Sequence, residues 1–162
     1  MINMIQLKNV TLDELAAKSE DRESWKYMRL GTVLKFQAAR DAYGAAIHIN
    51  HAFRTKGDKK RLNMQGHQVA DNSAHEYGWA LDLRPVAAPL GVDLEAWKKL
   101  LDALWAAGFR RFGIMATAIH VDDDPARPAA IWGYGNTNPT VWAWAQSWYN
   151  AKRNNLKESE VK

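Results

Sequence analysis

The chain has 162 residues, 47% of them hydrophobic and 25% charged. That is the balance of an ordinary soluble globular protein, and the length points to a single domain over residues 1–162. A domain of this size buries roughly two-thirds of the surface its unfolded chain exposes, so it needs no metal merely to fold. The absence of cysteine excludes a disulfide scaffold, a thiolate zinc finger, a cysteine nucleophile and a thiol redox centre. No apolar run approaches the ~20 residues of a membrane span, and residues 1–5 carry no basic residue ahead of their apolar stretch, so neither a signal peptide nor a membrane anchor is expected. A formal charge of +4 and a pI of 9.3 favour an anionic partner, for which nucleic acid, anionic lipid and bacterial wall polymer all qualify. Part of the basic excess lies in residues 56–61 (KGDKKR) and in the 152–162 tail, both expected to be solvated, the tail frayed.

Within an N-terminal segment over residues 1–22, Thr11 and Glu14 form a capping box ahead of Leu12, Leu15 and Ala16, which predicts a first short helix. Residues 23–43 predict a longer one from the helical recurrence of Trp25, Met28, Val33, Phe36 and Ala39, with Gly44 in place to end it. Residues 45–53 (AAIHINHAF) read as a strand, with Ile47, Ile49, His51 and Phe53 on one face and His48, Asn50, Ala52 and Arg54 on the other. Residues 55–73 are polar and show neither periodicity, which predicts an extended loop of the length reserved for function. Strand character returns at residues 79–83. Asp93 then caps a helix whose Leu94, Trp97, Leu100, Leu101, Leu104 and Trp105 form an apolar stripe, stopped by Gly108.

Residues 109–114 and 118–122 predict a hairpin in which His120 and Asp122 point the same way, against Ile119 and Val121. After a Pro- and Gly-rich stretch, Asn138 and Pro139 open a last helix with Val141, Trp144, Ala145 and Trp148 on its buried face. The order of elements predicts an α+β domain, a small antiparallel sheet flanked by helices. Trp97, Trp105, Trp144 and Trp148 keep helical spacing and are assigned to the core, which leaves Trp79 and Trp132 as candidates for lining a groove.

Without thiolates a transition-metal site must use imidazole and carboxylate, and a catalytic zinc site takes three such ligands with a fourth position open. The segment SAHEYGWALD places His75 at the mouth of a strand and Asp82 seven residues on, and His120 lies on another strand. If Asp82 and His120 face one another across the sheet, and a tight turn at Gly78 folds His75 back over them, two imidazoles and one carboxylate converge.

These residues resemble the M15 family of zinc D-amino-acid-specific peptidases of bacterial cell walls, which includes D-Ala-D-Ala carboxypeptidases and phage endolysins. The family pattern S-x-H-x-x-G-x-A-x-D followed by H-x-D is met at Ser73, His75, Gly78, Ala80, Asp82, His120 and Asp122. The likeness extends over residues 25–124 and takes in Phe53, Arg54 and Thr55 at the end of the preceding strand.

The resemblance implies that His75, Asp82 and His120 hold Zn2+, that Arg54 grips a substrate carboxylate or carbonyl, and that Ser73 supports the substrate edge. A guanidinium fork suits the free carboxylates of wall stem peptides, and zinc polarises a scissile carbonyl while making water nucleophilic near neutral pH. Many family members carry a carboxylate or histidine just before the last zinc histidine as general base, but here residues 115–119 read MATAI. The base is therefore expected from Asp122 first, with His48, Glu76 and His67 as alternatives. The other place for Asp122 is behind a ligand imidazole.

The implied activity is cleavage of a peptidoglycan stem-peptide or cross-link amide beside a D-amino acid, as by a phage endolysin. The runner-up is a D,D-carboxypeptidase trimming terminal D-alanine, and a non-catalytic zinc module is a further alternative. The expected protein is a monomer acting on peptidoglycan, free of nucleic acid and of stable membrane association, held in a host cytoplasm until release to the wall. The rival from another class, a basic binding protein for nucleic acid or cell wall, has no recognisable binding motif to support it.

Overall fold

The computed structural model describes residues 7–18, 22–67, 71–87, 90–91 and 93–160. The expectation that no leader occupies residues 1–5 falls outside them. Thr11 caps α1 (Leu12–Leu15) through the reciprocal box with Glu14. The helix expected over 23–43 is broken: Ser24–Tyr27 form a 3-10 turn, Met28 is extended, and α2 runs Leu30–Tyr43 with Gly44 closing it at φ 70°. The break has a cause elsewhere in the chain. The Arg29 amide donates to the Gly78 carbonyl at 3.0 Å, and a Cβ at Gly78 would stand 2.2 Å from the Tyr27 carbonyl oxygen. The backbone at 27–29 thus bends to seat the turn that follows Ser73.

Among the described residues five strands form the sheet of an α+β fold in the order β1-β2-β4-β3-β5: β1 (Ile47–His51), β2 (Ala80–Pro85), β3 (Arg111–Ile114), β4 (Ile119–Asp122) and β5 (Ala130–Gly133). All pairs are antiparallel except β3 with β5. The last strand lies within the Pro- and Gly-rich stretch, where the sequence predicted none. Alternation divides the sheet cleanly. Leu81, Leu83, Ile119 and Val121 are fully buried on the face that packs beneath α2 and α4 (Leu94–Ala106), while Asp82 and His120 pair directly on the other. Burying this many aliphatic and aromatic side chains, each worth about 1.5–3 kcal/mol, makes the helix-covered face the rigid base of the molecule. Asp93 caps α4 by accepting from the amides of Glu95 and Ala96, and Asn138 caps α5 (Pro139–Glu160) in the same way at Thr140 and Val141.

Two expectations are corrected. Residues 56–64 are helical, as α3 (Lys56–Met64), because Thr55 and Asp58 form a reciprocal cap and Leu62 is buried. The tail expected to fray from residue 152 is helical as far as Glu160, the end of α5, and its last two residues lie outside the described ones. Among the tryptophans assigned to the core, Trp97 and Trp105 are buried, whereas Trp144 and Trp148 are half-buried. Among the described residues no helix is long and apolar enough to cross a membrane.

Candidate metal centre

One transverse row of the sheet carries the site. From β1 to β5 the aligned residues are His51, Asp82, His120, Gly113 and Trp132, and the row lies on the face opposite the core, by period-2 alternation in β2 and β4 and by a register shift after Ile49 in β1. His75 reaches the row from the 3-10 turn Ala74–Tyr77, which Gly78 ends in the left-handed conformation at φ 75°. The expected convergence is found. His75 Nε2 lies 3.1 Å from Asp82 Oδ1 and 3.2 Å from His120 Nδ1, and His120 Nδ1 lies 2.9 Å from Asp82 Oδ1.

The remaining nitrogen of each imidazole is committed elsewhere. His75 Nδ1 donates to the Ala52 carbonyl at 2.7 Å, and His120 Nε2 faces Asp122 Oδ2 at 3.2 Å. These outer bonds occupy one nitrogen of each ring and leave His75 Nε2 and His120 Nδ1 facing inward, where His120 Nδ1 offers a lone pair once its proton is displaced, the arrangement metal-binding histidines use. Metal–ligand bonds of about 2.0–2.1 Å in tetrahedral geometry place ligand atoms roughly 3.3 Å apart, so the observed separations need little adjustment. The buried His75–Asp82–His120 group can hold a metal ion.

The electrostatics fit a cation. Burial opposes the charged form of Asp82, but His75, His120 and His51 outweigh it and hold the carboxyl well below its usual range. Burial also opposes charge on His120, yet the hydrogen bonds it donates to Asp122 and Asp82 win and raise its pKa to about 8. His75 is lowered, because burial there outweighs Asp82. The pull that holds a proton on His120 is the pull a bound cation would feel.

Asp122 occupies the second of its two places. Its Oδ2 lies behind the His120 ring and its Oδ1 accepts from Arg111 Nε at 2.7 Å, Arg111 being its direct partner on β3. Burial raises the Asp122 pKa, but His120 and Arg111 lower it further. Both oxygens of the carboxylate expected to serve as general base are thus engaged, one at His120 and one at Arg111.

Above His75, Asp82 and His120 opens a groove of about 500 Å³, lined by Arg54, Ser73, His51, His67, the 115–118 turn and Tyr134. Arg54 is 9% exposed, its Nη1 3.5 Å from Ser73 Oγ and its Nη2 3.6 Å from Asp82 Oδ2. Of the alternative bases, His67 lines the groove, but His48 and Glu76 do not. His48 stands across from Arg84 on β1 and β2, and Glu76 caps its own turn by accepting from the Ser73 amide. Trp79 lies under the Arg29 guanidinium, and Trp132 packs against His120 and Arg111 rather than facing the groove.

Two groove residues escaped the sequence reading. A bulge between Ile49 and His51 makes His51 the partner of Asp82, although strict alternation assigns it to the apolar face. Tyr134 follows an unrecognised strand. No protein-family profile and no curated protein matches this chain.

Proposed function

We propose that the chain is a zinc-dependent peptidase that hydrolyses a stem-peptide or cross-link amide of peptidoglycan beside a D-amino acid, as M15-type phage endolysins do. One observation carries the reading: three ligand atoms lie within 3.2 Å of one another at the floor of an open groove, with each imidazole's outer nitrogen already committed. Zinc suits two imidazoles and one carboxylate, and three protein ligands leave the open position that distinguishes a catalytic from a structural site. Bound there, it supplies Lewis acidity toward a carbonyl and a water made nucleophilic near neutral pH.

The chain's own residues supply the rest. Arg54, buried beside Asp82 and Ser73, presents its guanidinium to a substrate carboxylate, which wall peptides carry close to their D-residues. His51 sits at the groove with Nδ1 3.5 Å from Asp82 Oδ2, which leaves Nε2 to accept a proton from the attacking water. Asp122 and Arg111 keep His120 from turning.

The deciding experiment is digestion of purified peptidoglycan by the zinc-loaded protein, with mass spectrometry of released fragments and their new amino termini. New amino termini within stems or cross-links are expected. Release of free D-alanine alone would replace this reading with a D,D-carboxypeptidase. An intact wall beside one equivalent of bound zinc would overturn the peptidase altogether.

A further inference from the structure

We propose that Tyr134 is the oxyanion donor of this site, its phenol O–H bonding the scissile carbonyl oxygen as water adds to the carbonyl carbon. The inference rests on the peptidase reading and assigns a catalytic residue that the motif does not contain.

Tyr134 follows β5 directly, and its main chain is pinned at both groups: its amide donates to the Ile114 carbonyl at 2.9 Å and its carbonyl accepts from the Thr137 amide at 3.0 Å. The ring lies over Gly113, whose missing side chain makes the room. A Cβ there would stand 2.8 Å from Tyr134 Cε2 and 2.8 Å from the Trp132 indole. Gly113 is the His120 partner on β3, so the space it vacates brings the tyrosine beside the ligand row. Tyr134 is 39% exposed and lines the same groove as His75, Asp82 and His120.

The hydroxyl is free to act as a donor. The Trp132 ring lies beside the Tyr134 ring at 6.4 Å between centroids, and an indole nitrogen can only donate, so this neighbour takes no proton from the phenol. Burial, the largest influence, raises the phenol pKa further, so the proton stays on through neutral pH. Arg54 and His51 approach Asp82 from the β1 side, whereas Tyr134 arrives from the β5 side. The facing 115–118 turn offers Met115, Ala116, Thr117 and Ala118, with no titratable group among them.

A carbonyl between these sides has a carboxylate anchor and a proton acceptor toward β1, and one neutral O–H donor toward β5. As the water oxygen forms the new C–O bond, the carbonyl π pair moves onto oxygen, where the Tyr134 hydrogen bond strengthens. Collapse breaks the C–N bond. Both water protons end on the departing amine, a carboxylate remains, and Tyr134 keeps its own proton throughout. A donor aimed at developing charge stabilises the transition state more than the ground state.

The test is Tyr134→Phe in the full chain, measured for zinc content, for kcat and KM on purified wall fragments, and for affinity toward a phosphinate pseudopeptide and an uncleavable ground-state peptide. Zinc content, KM and ground-state affinity should hold, while kcat and phosphinate affinity fall together by about 10²- to 10³-fold. Unchanged kcat and phosphinate affinity would overturn the assignment while leaving a cleaving wild type intact. Loss of zinc or of ground-state affinity would make the ring a packing element instead. A wild type that binds zinc and cleaves nothing would defeat the peptidase reading, and the tyrosine's role with it.

Discussion

Asp122 Oδ2 lies 3.2 Å from His120 Nε2, on the side of the ring away from the Nδ1 that meets His75 and Asp82. Because Arg111 holds the other carboxylate oxygen at 2.7 Å, the carboxylate braces the imidazole and is not turned toward the groove. Asp122→Asn should therefore weaken zinc binding by roughly 10- to 100-fold and leave an activity that excess zinc restores. Zinc titration of the mutant beside its turnover at saturating metal measures both. A kcat that stays low at saturating zinc, with unchanged metal affinity, would return Asp122 to the role of base.

Arg54 is a directional donor in a buried setting, with Ser73 and Asp82 fixing its two terminal nitrogens. Lysine keeps the charge but loses the planar fork. Arg54→Lys should lower kcat/KM by about 10- to 100-fold, the worth of one charge-assisted hydrogen bond, with zinc content unchanged. Equal kinetics for the two proteins would remove Arg54 from substrate recognition.

Residues that carry a local pattern or a motif were legible, and those placed by a bulge or by pairing without one were not. His75, Gly78, Asp82 and His120 declared themselves by spacing, and α4 by its apolar stripe and Asp93 cap. Helix α3 hid because KGDKKRLNM has no apolar stripe, its only local signal being the Thr55 and Asp58 cap. His51 was assigned to the wrong face because a bulge adds a residue and reverses the alternation beyond it. The strand β5 (Ala130–Gly133) is four residues long and defined by parallel pairing to β3, a relation no local pattern announces. Tyr134 was missed along with it.

Gly78 joins two constraints, a φ of 75° and a close approach to the Tyr27 carbonyl, where a Cβ would stand 2.2 Å away. The left-handed backbone costs an alanine about 1–2 kcal/mol, and forcing the 27–29 backbone aside adds about 1–3 kcal/mol. Gly78→Ala is expected to lower the unfolding free energy by the sum of these in urea titration, and to lower zinc affinity because His75 rides on the same turn. Wild-type stability would mean that the 27–29 backbone yields freely.

Glu14 links α1 to α2 through Arg40, at 2.5 Å from Oε1 to Nη2. Burial raises its pKa, but the Arg40 and Thr11 hydrogen bonds outweigh this and hold it below the ordinary 4.5. The unfolded chain then binds the Glu14 proton more tightly than the folded one. The stabilisation is accordingly complete above pH 4.5 and is lost as pH falls through the lower folded-state value. Urea unfolding across a pH series should show a shallower acid limb in Glu14→Gln and an unchanged slope near neutrality. Superimposable acid limbs would show that the pair adds nothing.

The proton acceptor separates two histidines that share the groove. His51 is half-buried on a strand, its Nδ1 3.5 Å from Asp82 Oδ2, so the sheet holds its Nε2 in a fixed relation to the three ligand atoms. His67 is exposed, and its amide donates to the Leu62 carbonyl just past the end of α3. Proton transfer in the transition state needs an acceptor within hydrogen-bond reach of the water, a requirement that a strand-borne ring meets better than an exposed one. His51→Gln should keep its zinc and lose about 10²- to 10⁴-fold in kcat, whereas His67→Gln should turn over near the wild-type rate. The measurement is kcat on purified wall fragments at saturating zinc, with bound metal quantified in each variant. The opposite pattern, with His67→Gln inactive and His51→Gln unimpaired, would transfer the role to His67. A fall in zinc content in His51→Gln would show that the ring supports Asp82 and carries no proton.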